Sequence, residues 1–160
     1  MPLAGSVDDR IGDMTANDEL RSELARQVGR MLLDAVEGEW VRIDLRCKVL
    51  SDVHDLALTV LMSDGSSPAV AVPEGIVEPV LRIRELVYRE GEGTWFSARW
   101  ILDPPGRMNV NYNLEWDPLW EPDVPASSWR ADLERFPRDE EHMPEWLRAK
   151  LAEVPEGGEV

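Results

Sequence analysis

Hydrophobic positions along the chain recur with two periods, and the period changes mark the element boundaries. Leu20, Leu24, Val28, Met31, Leu32 and Ala35 return at helical intervals until Gly38. Thr15 and Asp18 ahead of them have capping-box spacing, so an amphipathic helix is predicted over 18–37. From Trp40 the period becomes two: Val41, Ile43, Leu45, Cys47 and Val49 alternate with Arg42, Asp44, Arg46 and Lys48. That pattern predicts a strand over 40–50 with one solvated face. Leu56, Leu58, Val60 and Met62 form a second alternating run, and the turn residues SDGSSP lead to a third strand at 69–72, completing an antiparallel meander. Pro79 with Val80, Leu81, Ile83, Val87 and Tyr88 predicts a helix over 77–89, ended by Gly91-Glu92-Gly93. Beyond it, Phe96, Ala98, Trp100 and Leu102 can face Met108, Val110, Tyr112, Leu114 and Trp116 across the turn DPPGR, with Arg99, Asn109, Asn111 and Asn113 on the other face. The proline-punctuated DPLWEPDVP reads as a loop, followed by short helices at 127–136 and 144–153, the second with Pro144 in its first turn.

These elements predict an α+β fold in a single domain spanning 15–154: an N-terminal helix, an antiparallel sheet of about five strands with an inserted helix, and two short C-terminal helices. Residues 1–14 are expected to be a flexible leader and 155–160 a flexible tail. A length of 160 residues with 43% hydrophobic residues suits one core. The opening residues carry acids instead of a basic segment before an apolar one, and no run reaches the roughly 20 apolar residues of a membrane span, so neither secretion nor membrane insertion is expected. Cys47 is the single cysteine, which excludes an internal disulfide and points to a reducing compartment, the cytoplasm.

Charge changes the picture more. Seventeen Lys and Arg against thirty-two Asp and Glu leave a formal net charge of −15. Such a chain repels nucleic acid and anionic membranes and steers toward basic proteins.

Candidate chemistry is sparse. Cys47 lies among Ile43, Leu45 and Val49, where a thiol behaves as a small hydrophobe. His54 beside Asp55 reads as a surface histidine near a turn, and His142 in RDEEHMPEW lacks the spacing of a calcium loop or a two-histidine zinc motif. EGEG at 90–93 precedes a strand and carries acids, unlike a phosphate loop. No catalytic residue, cofactor or metal is therefore assigned, and the chain is not expected to be an enzyme. The remaining unusual feature is tryptophan, seven in all, with Trp116, Trp120, Trp129 and Trp146 in the last third. Trp is a favoured interface anchor, with acids steering from the rim. The expected partner-binding set is Trp116, Asp117, Trp120, Glu121, Asp123 and Trp129. Within it, Trp120 between prolines is the exposed anchor, while Trp116 on the hairpin and Trp129 on a helix are read first as packing.

The segment GTWFSARWILDPPGRMNVNYNLEWDPL resembles the hallmark region of YezG-like immunity (antitoxin) proteins. The matching positions are Trp95 and Trp100 on the first strand, Gly106 in the turn, Tyr112 on the return, Asp117 in the loop and Trp129 after it. An early Trp40 and the order of helix and meander extend the likeness to roughly residues 18–136. The resemblance implies an intracellular protein, here expected to be a monomer, that binds and silences a cognate toxin domain such as a nuclease. An acidic adaptor or chaperone for a secreted basic partner is the alternative, and a small enzyme with His54 or His142 as base is a third.

Overall fold

The computed structural model describes residues 2–153, with side chains over 16–153. Its elements run α1 (Pro2–Ala35), β1 (Trp40–Leu50), β2 (Val53–Met62), α2 (Val77–Val87), β3 (Ser97–Asp103), β4 (Arg107–Asn113), α3 (Ala126–Arg135), a 3-10 turn at Glu140–His142, and α4 (Glu145–Ala152). The α+β class is as expected, but the sheet has four strands and not five, in the order β2-β1-β3-β4 with every neighbouring pair antiparallel. The third meander strand is missing because Pro68 and Pro73 bracket 69–72 and each lacks a backbone donor. Side chains tie its approach instead: the Ser67 hydroxyl donates to the Val60 carbonyl at 2.7 Å, and Asp64 accepts from the Ser66 amide at 2.9 Å.

Helix α1 starts at Pro2 and runs unbroken through the Thr15–Asp18 spacing, so that spacing opens nothing and the leader expected at 1–14 is helical backbone over 2–14. Proline suits a first helical turn, and none recurs before Pro68 to stop the helix. The tail predicted at 155–160 lies outside the described residues. Among the described residues no helix is long and apolar enough to cross a membrane.

Strand alternation places Ile43, Leu45, Cys47, Val49, Val60, Ala98, Trp100 and Leu102 on one face of the sheet. There they pack against Ala25, Val28 and Leu32 of α1 and Val80 and Ile83 of α2. The Trp100 indole donates to the Ala25 carbonyl at 3.2 Å, fixing α1 over β3. Val41 falls out of this pattern: Trp40 pairs with Met62 but Arg42 with Leu61, so Val41 is the extra residue of a bulge and is exposed. Helices α3 and α4 do not lie on either face. They close one end of the sheet through a second cluster of Leu50, Phe96, Trp129 and Leu147, joined by Trp120, Leu133, Met143 and Trp146.

The link between α2 and β3 clasps this C-terminal segment. Gly93 has φ +85°, and a Cβ there would run into the Arg138 side chain. Arg138 lies 4.3 Å over the Phe96 ring and donates to the Thr94 carbonyl at 2.8 Å. Burial pulls its guanidinium down to about 10, Asp132 opposing and Arg84 adding to the fall, so it remains a cation at neutral pH. Gly93→Ala is expected to cost about 1–3 kcal/mol from the unfavourable backbone together with the displaced Arg138. Gly65→Ala, at φ +87° with nothing within 4 Å, isolates the backbone part alone. Equal losses for the two in urea denaturation would show that Arg138 yields freely.

Candidate partner-binding surface

Strand β4 ends at Asn113 because that side chain captures the backbone beyond it. Its carboxamide oxygen accepts from the amides of Glu115 at 3.2 Å and Trp116 at 2.8 Å, while its nitrogen donates to the Trp116 carbonyl at 2.8 Å and the Ser97 hydroxyl at 3.0 Å. Asparagine side chains compete with strand pairing in this way and turn the chain. Four residues on, Asp117 accepts from the Leu119 amide at 2.9 Å, and Leu119 takes φ 59°, the one non-glycine positive φ among the described residues. Two more bonds pin the loop from outside: Lys48 Nζ to the Leu119 carbonyl and Trp146 Nε1 to the Glu115 carbonyl, both 2.7 Å. The backbone of this loop is thus held at Asn113, Glu115, Trp116 and Leu119.

What this loop carries outward is apolar. Trp116 and Leu119 are each 70% exposed, well above the next large hydrophobic, Val41 at 44%. Glu115, Glu121 and Asp123 near them in the sequence are exposed acids, and Asp117 is half-buried within the loop. Asp123 pairs with Lys150 of α4, whose ammonium that hydrogen bond holds above its ordinary pKa range.

The expected roles of the tryptophans are exchanged. Trp116, read first as packing, is exposed. Trp120, read as the exposed anchor, is half-buried in the end cluster with its indole nitrogen shielded and unpartnered. Trp129 is 1% exposed, edge-on to Phe96 and Trp146 with ring centroids 6.1 and 5.4 Å away, so its place in the binding set is withdrawn. Leu119 was not singled out in the sequence. A leucine between Pro118 and Trp120 carries no signal for exposure, since that exposure follows from its left-handed backbone.

Of the groups weighed for chemistry, His142 lines a hollow with Leu114 and Glu115 of this loop. Cys47 is 1% exposed, and burial, with Asp55 adding, pushes its thiol up to about 12. His54 and Asp55 are consecutive in β2 and so point to opposite faces. Asp139, Glu141 and His142 bring one ligand atom each within 4.8 Å, but both acids are exposed and such groups commonly gather without a metal.

A buried polar network stands behind the surface. The Arg84 guanidinium donates to both carboxylate oxygens of Asp132, at 2.6 and 2.8 Å, and to the Trp95 carbonyl at 2.7 Å. Asp132 also accepts from the amide and hydroxyl of Ser51, at 2.8 and 2.9 Å. Both side chains are under 5% exposed, and together they lock α2, α3 and the β1–β2 turn.

No protein-family model matches the chain, and no curated protein matches it.

Proposed function

We propose that the protein binds and neutralises a basic partner protein as an immunity protein does, using the Trp116–Leu119 loop as its anchor. The observation that carries this reading is the loop itself: two large apolar side chains, both 70% exposed, on a backbone held in one shape by side-chain hydrogen bonds. Exposed aromatic and aliphatic groups on a pre-ordered segment are what an interface core requires, because little conformational entropy remains to be lost on binding. The acids near the loop in the sequence and the net charge of −15 supply steering toward a cationic surface. The likeness of the hairpin to YezG-like immunity proteins supports a toxin domain, such as a nuclease, as that partner.

Co-expression with a basic toxin domain, sought among the products of the genes beside this protein's own, tests the reading. The wild-type chain is expected to restore growth, and Trp116→Ala/Leu119→Ala to fail at the same expression level. No rescue by the wild type sinks the immunity reading. A complex that forms yet leaves the partner fully active points instead to an adaptor.

A further inference from the structure

Among the described residues the helices pack on one face of the sheet, and the composition of the opposite face runs against that of the chain. Register brings Arg46 of β1 directly opposite Arg99 of β3, with Lys48 two residues along the same face. Like charges set directly opposite across strands destabilise a sheet, so this grouping is not explained by stability. One carboxylate offsets it in part. Asp44, its side chain 7% exposed, accepts from Arg99 at 3.0 and 2.6 Å, while Arg46 comes no nearer to it than 3.6 Å. Asp55 of β2 lies across from Lys48.

Beside these cations is a basin of about 270 Å³, lined by Arg46, Lys48, Arg99, Ser97, Asn111 and Pro118 among others, and no carboxylate is in its lining. Arg46 is 61% exposed, and its nearest carboxylate oxygen, that of Asp44, lies 3.6 Å away. Lys48 commits one of its three ammonium hydrogens to the Leu119 carbonyl. The wall formed by Pro118 belongs to the same pinned loop that presents Trp116, so the basin is a fixed feature of the surface. Most of the exposed lining is apolar, with Cys47, Ala98 and Tyr112 contributing, and a guanidinium, an ammonium and neutral hydroxyl and amide donors are the polar groups beside it. Those donors match an oxyanion, which accepts several charge-assisted hydrogen bonds at once.

We infer that this basin is an oxyanion-binding site, taking a phosphoryl or carboxylate group between Arg46, Lys48 and Arg99. Neither Trp116 nor Leu119 is among its lining residues. The inference does not depend on the neutralising role proposed above.

Two-dimensional amide NMR tests it on the whole protein. Inorganic phosphate and a tetraglutamate peptide are titrated separately at constant ionic strength, with chloride as the reference anion. Saturable shifts are expected at Arg46, Lys48, Ser97, Arg99 and Asn111, and Arg46→Gln/Lys48→Gln is expected to weaken them at least tenfold while the rest of the spectrum stays folded. A stronger response to phosphate assigns the site to phosphorylated small molecules. A stronger response to the peptide assigns it to an acidic polypeptide segment. Shifts no greater than those produced by chloride, or an affinity unchanged in the double variant, overturn the inference.

Discussion

Asp132→Ala is expected to lower the free energy of unfolding by about 3–5 kcal/mol, the typical result of removing one partner from a buried ion pair. The substitution strands the Arg84 guanidinium, 3% exposed, and orphans the Ser51 amide and hydroxyl that Asp132 also holds. Arg84 keeps one bond to the Trp95 carbonyl, too little to solvate a cation. Urea denaturation measures the effect, and a loss under about 1 kcal/mol would mean that water reaches Arg84 and that the pair does not hold α2 to α3. Replacing both partners, Arg84→Met with Asp132→Leu, should recover much of the loss, because an apolar pair leaves no charge unsatisfied.

Trp129→Ala is expected to cost a further about 3–5 kcal/mol in an otherwise wild-type chain, the usual range for truncating a buried tryptophan. Its indole is enclosed by Phe96, Trp146 and the rest of the end cluster, and nothing nearby can collapse into the space without moving α3 or α4. Trp120→Ala should destabilise too, by less, since that ring is only half-buried. Trp116→Ala should leave stability within about 0.5 kcal/mol of wild type, as for other exposed positions away from packed features. The ranking Trp129, Trp120, Trp116 in thermal or urea unfolding separates residues that build the fold from the one that faces outward. A Trp116→Ala loss comparable to that of Trp129→Ala would show that its ring is packed.

The parts of this fold that were legible in the sequence are those where periodicity decides. β1, α2 and the β3–β4 hairpin sit within a few residues of their predicted places, because alternation and the 3.6 repeat are imposed directly by burial. Errors arose where a local polar group or a proline overrides the pattern. The apolar run at 69–72 reads as a strand, but Pro68 and Pro73 deny it a ladder. Carrying the alternation of β4 from Leu114 to Trp116 assumes that the strand continues, whereas Asn113 turns the chain and sends that indole to solvent. Trp120 looks exposed between prolines, yet the left-handed Leu119 before it swings the ring back onto the end cluster. The Arg84–Asp132 pair left no trace in the pattern. Arginine on a helix and aspartate on another read as solvated positions, and only the tertiary arrangement brings them together over 48 residues of separation.

Which segment exposes large apolar side chains was legible, but which of its tryptophans is exposed was not. The acidic, tryptophan-bearing segment after the hairpin does hold the most exposed apolar groups of the described chain, and Glu121 and Asp123 are exposed as expected. The exposed side chains are Trp116 and Leu119 and not Trp120, in a backbone shaped by Asn113 and Asp117.

The most direct test is calorimetric titration of whichever basic toxin domain the wild-type chain neutralises on co-expression into that chain and into Trp116→Ala/Leu119→Ala, with the unfolding transition of each recorded alongside. The account predicts a loss of at least about 2 kcal/mol in binding, roughly 30-fold in Kd, with stability unchanged. An affinity within about threefold of wild type, less than about 1 kcal/mol, would contradict the loop as the anchor.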